Sequence, residues 1–154
     1  MVKVITYGTF DCFHYGHYNL LKRCAALGDH LIVGVSSDEM CRNKGKIPIL
    51  DENKRMEIIG DLSFVTEVIL ENSMEQKVDD VKNYGVQKFV LGSDYCDIFP
   101  KMPEYRLLKE AGCEVIFLPR TPDISTSQLK EKMFEQVTLD TDKDSLHNKT
   151  KNEG

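Results

Sequence analysis

Ten residues near the N-terminus, Gly8-Thr9-Phe10-Asp11-Cys12-Phe13-His14-Tyr15-Gly16-His17, hold the densest set of chemically capable side chains in the sequence. They fall where a β-branched run, Val2 to Tyr7, gives way to a helical pattern carried by Leu20, Leu21, Cys24, Ala25 and Leu27. A helix start at that point offers unpaired backbone N–H groups and the positive end of the helix dipole, which together make an anion site. Imidazoles spaced by three share one helical face, and Gly16 between them lets a phosphate approach the backbone. Such a segment suits a polyphosphate. A zinc site would need a third ligand that is not patterned nearby, and thiol catalysis at Cys12 lacks an activating context.

The chain that must position these groups has 154 residues, 29% of them charged and 41% hydrophobic, with a formal net charge of −5. That length and balance predict one globular domain with its own core. The sequence has no run of roughly 18 apolar residues and no apolar leader, which predicts a cytoplasmic protein with no membrane segment. Overall acidity argues against a nucleic-acid partner. The five cysteines are scattered without a Cys-x-x-Cys pair, so they read as reduced thiols.

Apolar runs, most of them ending or bounded at glycines, predict strands over Val2–Tyr7, Leu31–Val35, Phe64–Leu70, Lys88–Leu91 and Glu114–Leu118. Helical patterns alternate with them: one after the histidines, one entered at Asp51, one opened by the capping-box spacing Ser73-x-x-Gln76, one from Pro103 to Gly112, and one from Ser125. This alternation predicts an α/β fold, a Rossmann-like doubly wound parallel five-stranded sheet with helices on both faces. Ligands bind such sheets at the carboxyl ends of the strands, around the switch in strand order. The stretch from Ser36 to about Leu50 reads as a mobile basic loop bearing Arg42, Lys44 and Lys46. Residues 1–134 read as the domain, and 135–154 as a polar, disordered tail.

Five motifs then stand in order: Gly8-Thr-Phe-Asp11 with His14-Tyr-Gly-His17; Lys44-Gly-Lys46; Arg55; Gly92-Ser-Asp94-Tyr95; and Arg120-Thr-Pro-Asp-Ile-Ser-Thr-Ser127. In this order they resemble the cytidylyltransferases of the HxGH nucleotidyltransferase superfamily, its bacterial glycerol-3-phosphate branch above all. The resemblance implies that CTP and a phosphorylated alcohol, glycerol 3-phosphate first, give a CDP-alcohol and pyrophosphate, with Mg²⁺ accompanying CTP, in a homodimer. A phosphate monoester is already anionic near neutral pH, so the reaction needs in-line positioning and charge neutralisation rather than a general base.

By the same resemblance His14 and His17 serve the triphosphate around the reacting phosphorus, with Gly8, Thr9, Phe10 and Asp11 shaping the nucleotide pocket. Lys44 and Lys46 clamp phosphate, and Arg55 holds the acceptor phosphate or the triphosphate. Asp94 lies on the base or ligand side, and Arg120 with Thr121, Ile124, Ser125, Thr126 and Ser127 caps the terminal phosphates. The pocket is thus expected to gather positive potential from imidazole, ammonium, guanidinium and main-chain amides. The branch commonly shows Gly-Asp-Asp-Trp where this chain has Gly92-Ser93-Asp94-Tyr95, and the segment Cys96 to Pro103 falls outside the family pattern. Other readings keep part of this account: an adenylyltransferase, another acceptor such as phosphocholine, phosphoethanolamine or a sugar-alcohol phosphate, or a CTP or CDP-alcohol sensor without catalysis. A class I aminoacyl-tRNA synthetase would need a tRNA-binding domain for which 154 residues leave no space.

Overall fold

The structure, a computed structural model, describes residues 1–119. Its strands are β1 (Lys3–Gly8), β2 (His30–Ser36), β3 (Glu67–Glu71), β4 (Lys88–Gly92) and β5 (Glu114–Leu118). The helices are α1 (Tyr15–Ala25), α2 (Asp38–Asn43), α3 (Glu52–Gly60), α4 (Gln76–Tyr84) and α5 (Pro103–Glu110). The strands form one sheet in the order β3-β2-β1-β4-β5, every neighbouring pair parallel. The expected five-stranded, doubly wound sheet is therefore present.

Side chains alternate across each strand, so every central strand feeds two cores. On one face Val4, Leu31, Val33, Val35 and Val90 pack with Leu21 and Cys24 of α1 and Ile59 of α3. On the other, Ile5, Ile32 and Phe89 pack with Val78 and Val81 of α4 and with Leu108 of α5. Each fully buried Leu, Ile, Val or Phe stabilises the fold by about 1.5–3 kcal/mol relative to exposure, which explains why both faces must be covered. The strand order reverses at β1, so the carboxyl ends of β1 and β4 lie side by side and open the crevice in which such sheets bind ligands.

Two expectations about elements are corrected, and one segment gains a structure. The third strand starts at Glu67 rather than Phe64, because Phe64 and Val65 pack against the first core as a connection and Thr66 is the residue that meets Leu31, accepting its N–H on Oγ1 at 3.0 Å. The Ser36–Leu50 stretch is not an irregular loop throughout: Ser37 caps α2 by accepting the Met40 N–H at 3.0 Å, and Met40 and Cys41 are buried. The segment after β4 makes two short 3-10 turns, Ser93–Tyr95 and Phe99–Lys101. Phe99 seats the second turn by stacking on Phe89 at 5.6 Å. The helix expected from Ser125 and the boundary at 134 lie outside the described residues.

Candidate active site

The segment after β1 is held under backbone strain. Phe10 has φ 54° and Cys12 φ 51°, left-handed values that cost a non-glycine residue about 1–3 kcal/mol and persist only where surroundings impose them. Here the buried Phe10 ring folds back over the end of β1, so close that a Cβ on Gly8 would lie 2.8 Å from it. The edge of Phe10 also meets the His17 ring at 5.6 Å. Gly8 and Phe10 thus fix the end of β1 against the start of α1 through packing.

The two histidines form the start of α1 itself. His14 is the N-cap and accepts the Gly16 N–H on Nδ1 at 3.0 Å, while His17, three residues on, accepts the His14 N–H on its own Nδ1 at 3.3 Å. This is a reciprocal capping box built from imidazoles, and it stacks the two rings at 3.9 Å between centroids. A neutral imidazole that accepts on Nδ1 carries its proton on Nε2. Both rings are therefore fixed as Nε2–H donors at a helix N-terminus, beside the switch in strand order.

Their protonation departs from the expected cationic site. Burial first, and then its neighbour His14, push the His17 imidazole down to about 4, with Asp11 opposing the shift. Burial also holds His14 below its ordinary range. At neutral pH the pair supplies dipolar donors rather than positive charge. A stability prediction follows, with its sign. The unfolded His17 takes up a proton near the ordinary histidine value of 6.5 and the folded one only at about 4, so between these values the unfolded chain binds more protons. The His17 contribution is complete above pH 6.5 and is lost as pH falls toward 4. Thermal melts across this window should show a shallower acid destabilisation in His17→Gln than in the wild-type protein; identical pH profiles would contradict the buried neutral imidazole.

Lys44 and Lys46 are exposed and close α2 in a defined way. Gly45, at φ 77°, supplies the left-handed residue; its N–H reaches Arg42 O at 2.9 Å and the Lys46 N–H reaches Cys41 O at 2.9 Å, the paired bonds of a Schellman cap. The two ammonium groups are thus presented from a helix terminus, with Cys41 Sγ lying 3.9 Å from Thr9 Oγ1 at the end of β1. Asp11 fastens the chain that follows, its carboxylate accepting the N–H groups of Ile49 at 2.8 Å and Leu50 at 3.1 Å.

Arg55 is not where a phosphate ligand was expected. Its side chain has 0% exposure, and its N–H groups donate to Leu50 O at 2.9 Å, Thr9 O at 3.0 Å, Ser36 O at 2.7 Å and Asp38 Oδ1 at 2.6 Å. An arginine near a helix start reads as exposed in sequence, but this one is buried and binds protein carbonyls. Its partner Asp38 went unnoticed in the sequence. The desolvation that would raise the Asp38 carboxyl is outweighed by bonds from Arg55 and the Glu52 N–H and by the charges of Arg55 and Arg42, which hold it below the usual range. The signal was present as Ser37-Asp38 opening a short amphipathic stretch.

Asp94 lies in the turn after β4, the strand that pairs with β1, and Tyr95 beside it is half exposed. Arg120, Thr121, Ile124, Ser125, Thr126 and Ser127 lie outside the described residues. Lys77 of α4 forms a buried ion pair with Glu71 at the end of β3, which also accepts the Ser36 hydroxyl at 3.0 Å. The Lys77 ammonium stands 4.9 Å over the Tyr7 ring, whose hydroxyl donates to Asp80 at 2.7 Å. Burial first, then that bond, raises the Tyr7 phenol far above its ordinary value, so it stays neutral.

The chain is similar to known proteins over most of its length. Residues 5–132 match the model of the cytidylyltransferase-like family. The glycerol-3-phosphate cytidylyltransferase of Bacillus spizizenii is 47% identical over 133 residues, covering 86% of this chain and 98% of that one. The Staphylococcus aureus protein of the same name is 41% identical over 134 residues, covering 87% and 96%. Among solved structures, the lipopolysaccharide core biosynthesis protein of Thermoplasma volcanium superposes with a TM-score of 0.63 at 34% identity, covering 79% of this chain and 97% of that one. A parallel sheet whose first strand delivers a histidine-capped helix to its switch point, in a chain this similar to such relatives, belongs to the cytidylyltransferase-like family.

Proposed function

We propose that the protein transfers CMP from CTP to a phosphorylated alcohol, glycerol 3-phosphate in the first place, yielding CDP-glycerol and pyrophosphate. An oxygen of the acceptor's phosphate attacks the α-phosphorus, and the bond from that phosphorus to the oxygen of the β-phosphate breaks as pyrophosphate leaves. The attacking monoester has a second pKa near ~6, so most of it is dianionic at pH 7 and needs no base. The observation that carries this reading is the reciprocal histidine cap, which fixes two neutral Nε2–H donors beside the first helix turn. Donors set in advance around phosphoryl oxygens stabilise charge as it moves, without reorganisation cost.

Lys44 and Lys46 add the ammonium charge that draws in and holds the phosphates, and Arg120 with Thr121, Ile124 and Ser125 to Ser127 completes the grip on the terminal phosphates in this reading. Mg²⁺ fits as a companion of CTP: both Asp11 oxygens already accept backbone N–H groups, and among the described residues no cluster of three metal ligands occurs. The ion would therefore ride on the triphosphate, where it screens negative charge. The same reading includes a homodimer, supported by the strong exposure of Ile47 and Ile49; sedimentation at micromolar concentration checks it.

The test is pyrophosphate release with CTP or ATP against a panel of phospho-alcohols. CTP with glycerol 3-phosphate should lead, and equal rates with ATP would overturn the nucleotide assignment. Tyr95, standing where the branch commonly has tryptophan, favours one second reading, in which phosphoethanolamine or phosphocholine is the better acceptor. Lys46→Ala should raise KM for CTP by about tenfold, a loss of roughly 1.4 kcal/mol in ground-state binding, while kcat changes little. An unchanged CTP dependence would remove Lys46 from the clamp.

A further inference from the structure

The Arg55 guanidinium is fully buried and is nonetheless placed where the ends of β1 and β2, the start of α2 and the approach to α3 meet. It donates to Thr9 O at the end of β1, Ser36 O at the end of β2 and Leu50 O ahead of α3, and its charge is met by Asp38 in the first turn of α2. Four hydrogen bonds occupy four of the five N–H groups of a guanidinium. Asp38 is itself locked to α3: its N–H donates to Glu52 Oε1 at 2.9 Å, and its Oδ2 accepts the Glu52 N–H at 3.3 Å. Asp11 closes the ring by gripping Ile49 and Leu50 from the strained segment after β1. A buried charge with this many neutral acceptors is organised to hold backbone in place, because each charge-assisted bond fixes a carbonyl that would otherwise be free to move.

We infer that Arg55 and Asp38 form a positioning pair: the guanidinium, oriented by the Asp38 carboxylate, sets the β1 segment that carries the histidine cap against the Lys44–Lys46 helix end, and does not itself contact phosphate. This rests on the cytidylyl-transfer reading for its kinetic consequences, though the loop-fixing role stands without it. The physical reason for a catalytic effect is tolerance. A displacement of about 1 Å in groups that orient a reacting phosphate costs on the order of a hundredfold in rate. Phe10 and Cys12, held at positive φ, would relax if the Thr9 carbonyl were released. An ammonium cannot replace the fork, since it lacks the planar set of donors that reaches several carbonyls at once. Arg55→Lys should therefore fail nearly as badly as a neutral replacement.

The decisive variant is Asp38→Asn, which leaves the arginine in place and removes only the charge that aims it. The experiment measures kcat and both KM values for the wild-type protein, Asp38→Asn, Arg55→Lys and the double variant, with amide hydrogen exchange on each. Asp38→Asn should lower kcat at least tenfold with KM for CTP within threefold, and the double variant should be no worse than Arg55→Lys, the non-additivity of residues acting as one unit. Exchange should quicken at least tenfold for the amides of residues 9–13, 49 and 50 and stay unchanged in α5. If Arg55 instead grips phosphate, freeing it from Asp38 will leave kcat intact and lower KM for CTP; that result, additive losses, or unaltered exchange in those segments overturns the pair. Absence of pyrophosphate release by the wild-type protein would overturn the transfer reading alone, because exchange still decides the positioning role.

Discussion

Replacing either imidazole by a methyl group, His14→Ala or His17→Ala, is expected to lower kcat for pyrophosphate release by about a thousandfold. Two separable losses contribute. Removing one preorganised donor at a site of developing charge costs about 10²–10³ in rate. Removing a helix cap costs about 0.5–2 kcal/mol of stability, through a Gly16 N–H or a His14 N–H left without its acceptor. His14→Asn separates them, because asparagine is a good N-cap and its amide oxygen can take over the Gly16 N–H, whereas its reach does not reproduce the Nε2–H donor. That variant should melt close to the wild-type protein and remain crippled in turnover. Since the rings stack and share one capping box, the double alanine variant should lose little beyond the worse single one. Near-normal turnover by both single variants would remove the histidines from the chemistry.

Lys77→Met is expected to destabilise the fold by about 3–5 kcal/mol, since it leaves a buried carboxylate without its cation. Glu71 is 2% exposed and would keep only the Ser36 hydroxyl as a side-chain partner. Replacing both members, Lys77→Met with Glu71→Leu, should recover most of the loss, because an apolar pair of similar volume needs no compensation for desolvation. Urea denaturation of the wild-type protein and both variants tests this. A single substitution that costs under about 1 kcal/mol, or a double one as damaging as the single, would show that the pair is better solvated than its burial indicates.

What could be read from the sequence follows from how local each cause is. Gly8 to His17 were legible because a strand end, a helix start and two histidines at fixed spacing occur within ten residues, and the pattern carries the anion chemistry without any distant partner. The sheet was legible for the same reason, through apolar runs alternating with helical spacing. α2 was not, because six residues with only Met40 and Cys41 buried give too little periodicity; Ser37 ahead of Asp38-Glu39 and Gly45 behind Asn43 were its only marks. Arg55 could not be placed, since its environment depends on Asp38, Ser36 and Thr9, which are brought together only by the sheet. Lys77 at a helical position reads as solvated until β2 and β3 deliver Ser36 and Glu71 beside it. The neutral state of the histidines likewise depends on burial by Phe10 and Phe13 against His17, a property of packing rather than of residue type.

The central claim is that the capped start of α1 holds the reacting phosphate of a cytosine nucleotide. The most direct measurement is a crystal structure of the protein with CTP. The account predicts the α-phosphate within hydrogen-bond distance of Nε2 of His14 and His17, with the triphosphate running toward Lys44 and Lys46. A nucleotide bound away from both imidazoles, at full occupancy, would contradict it.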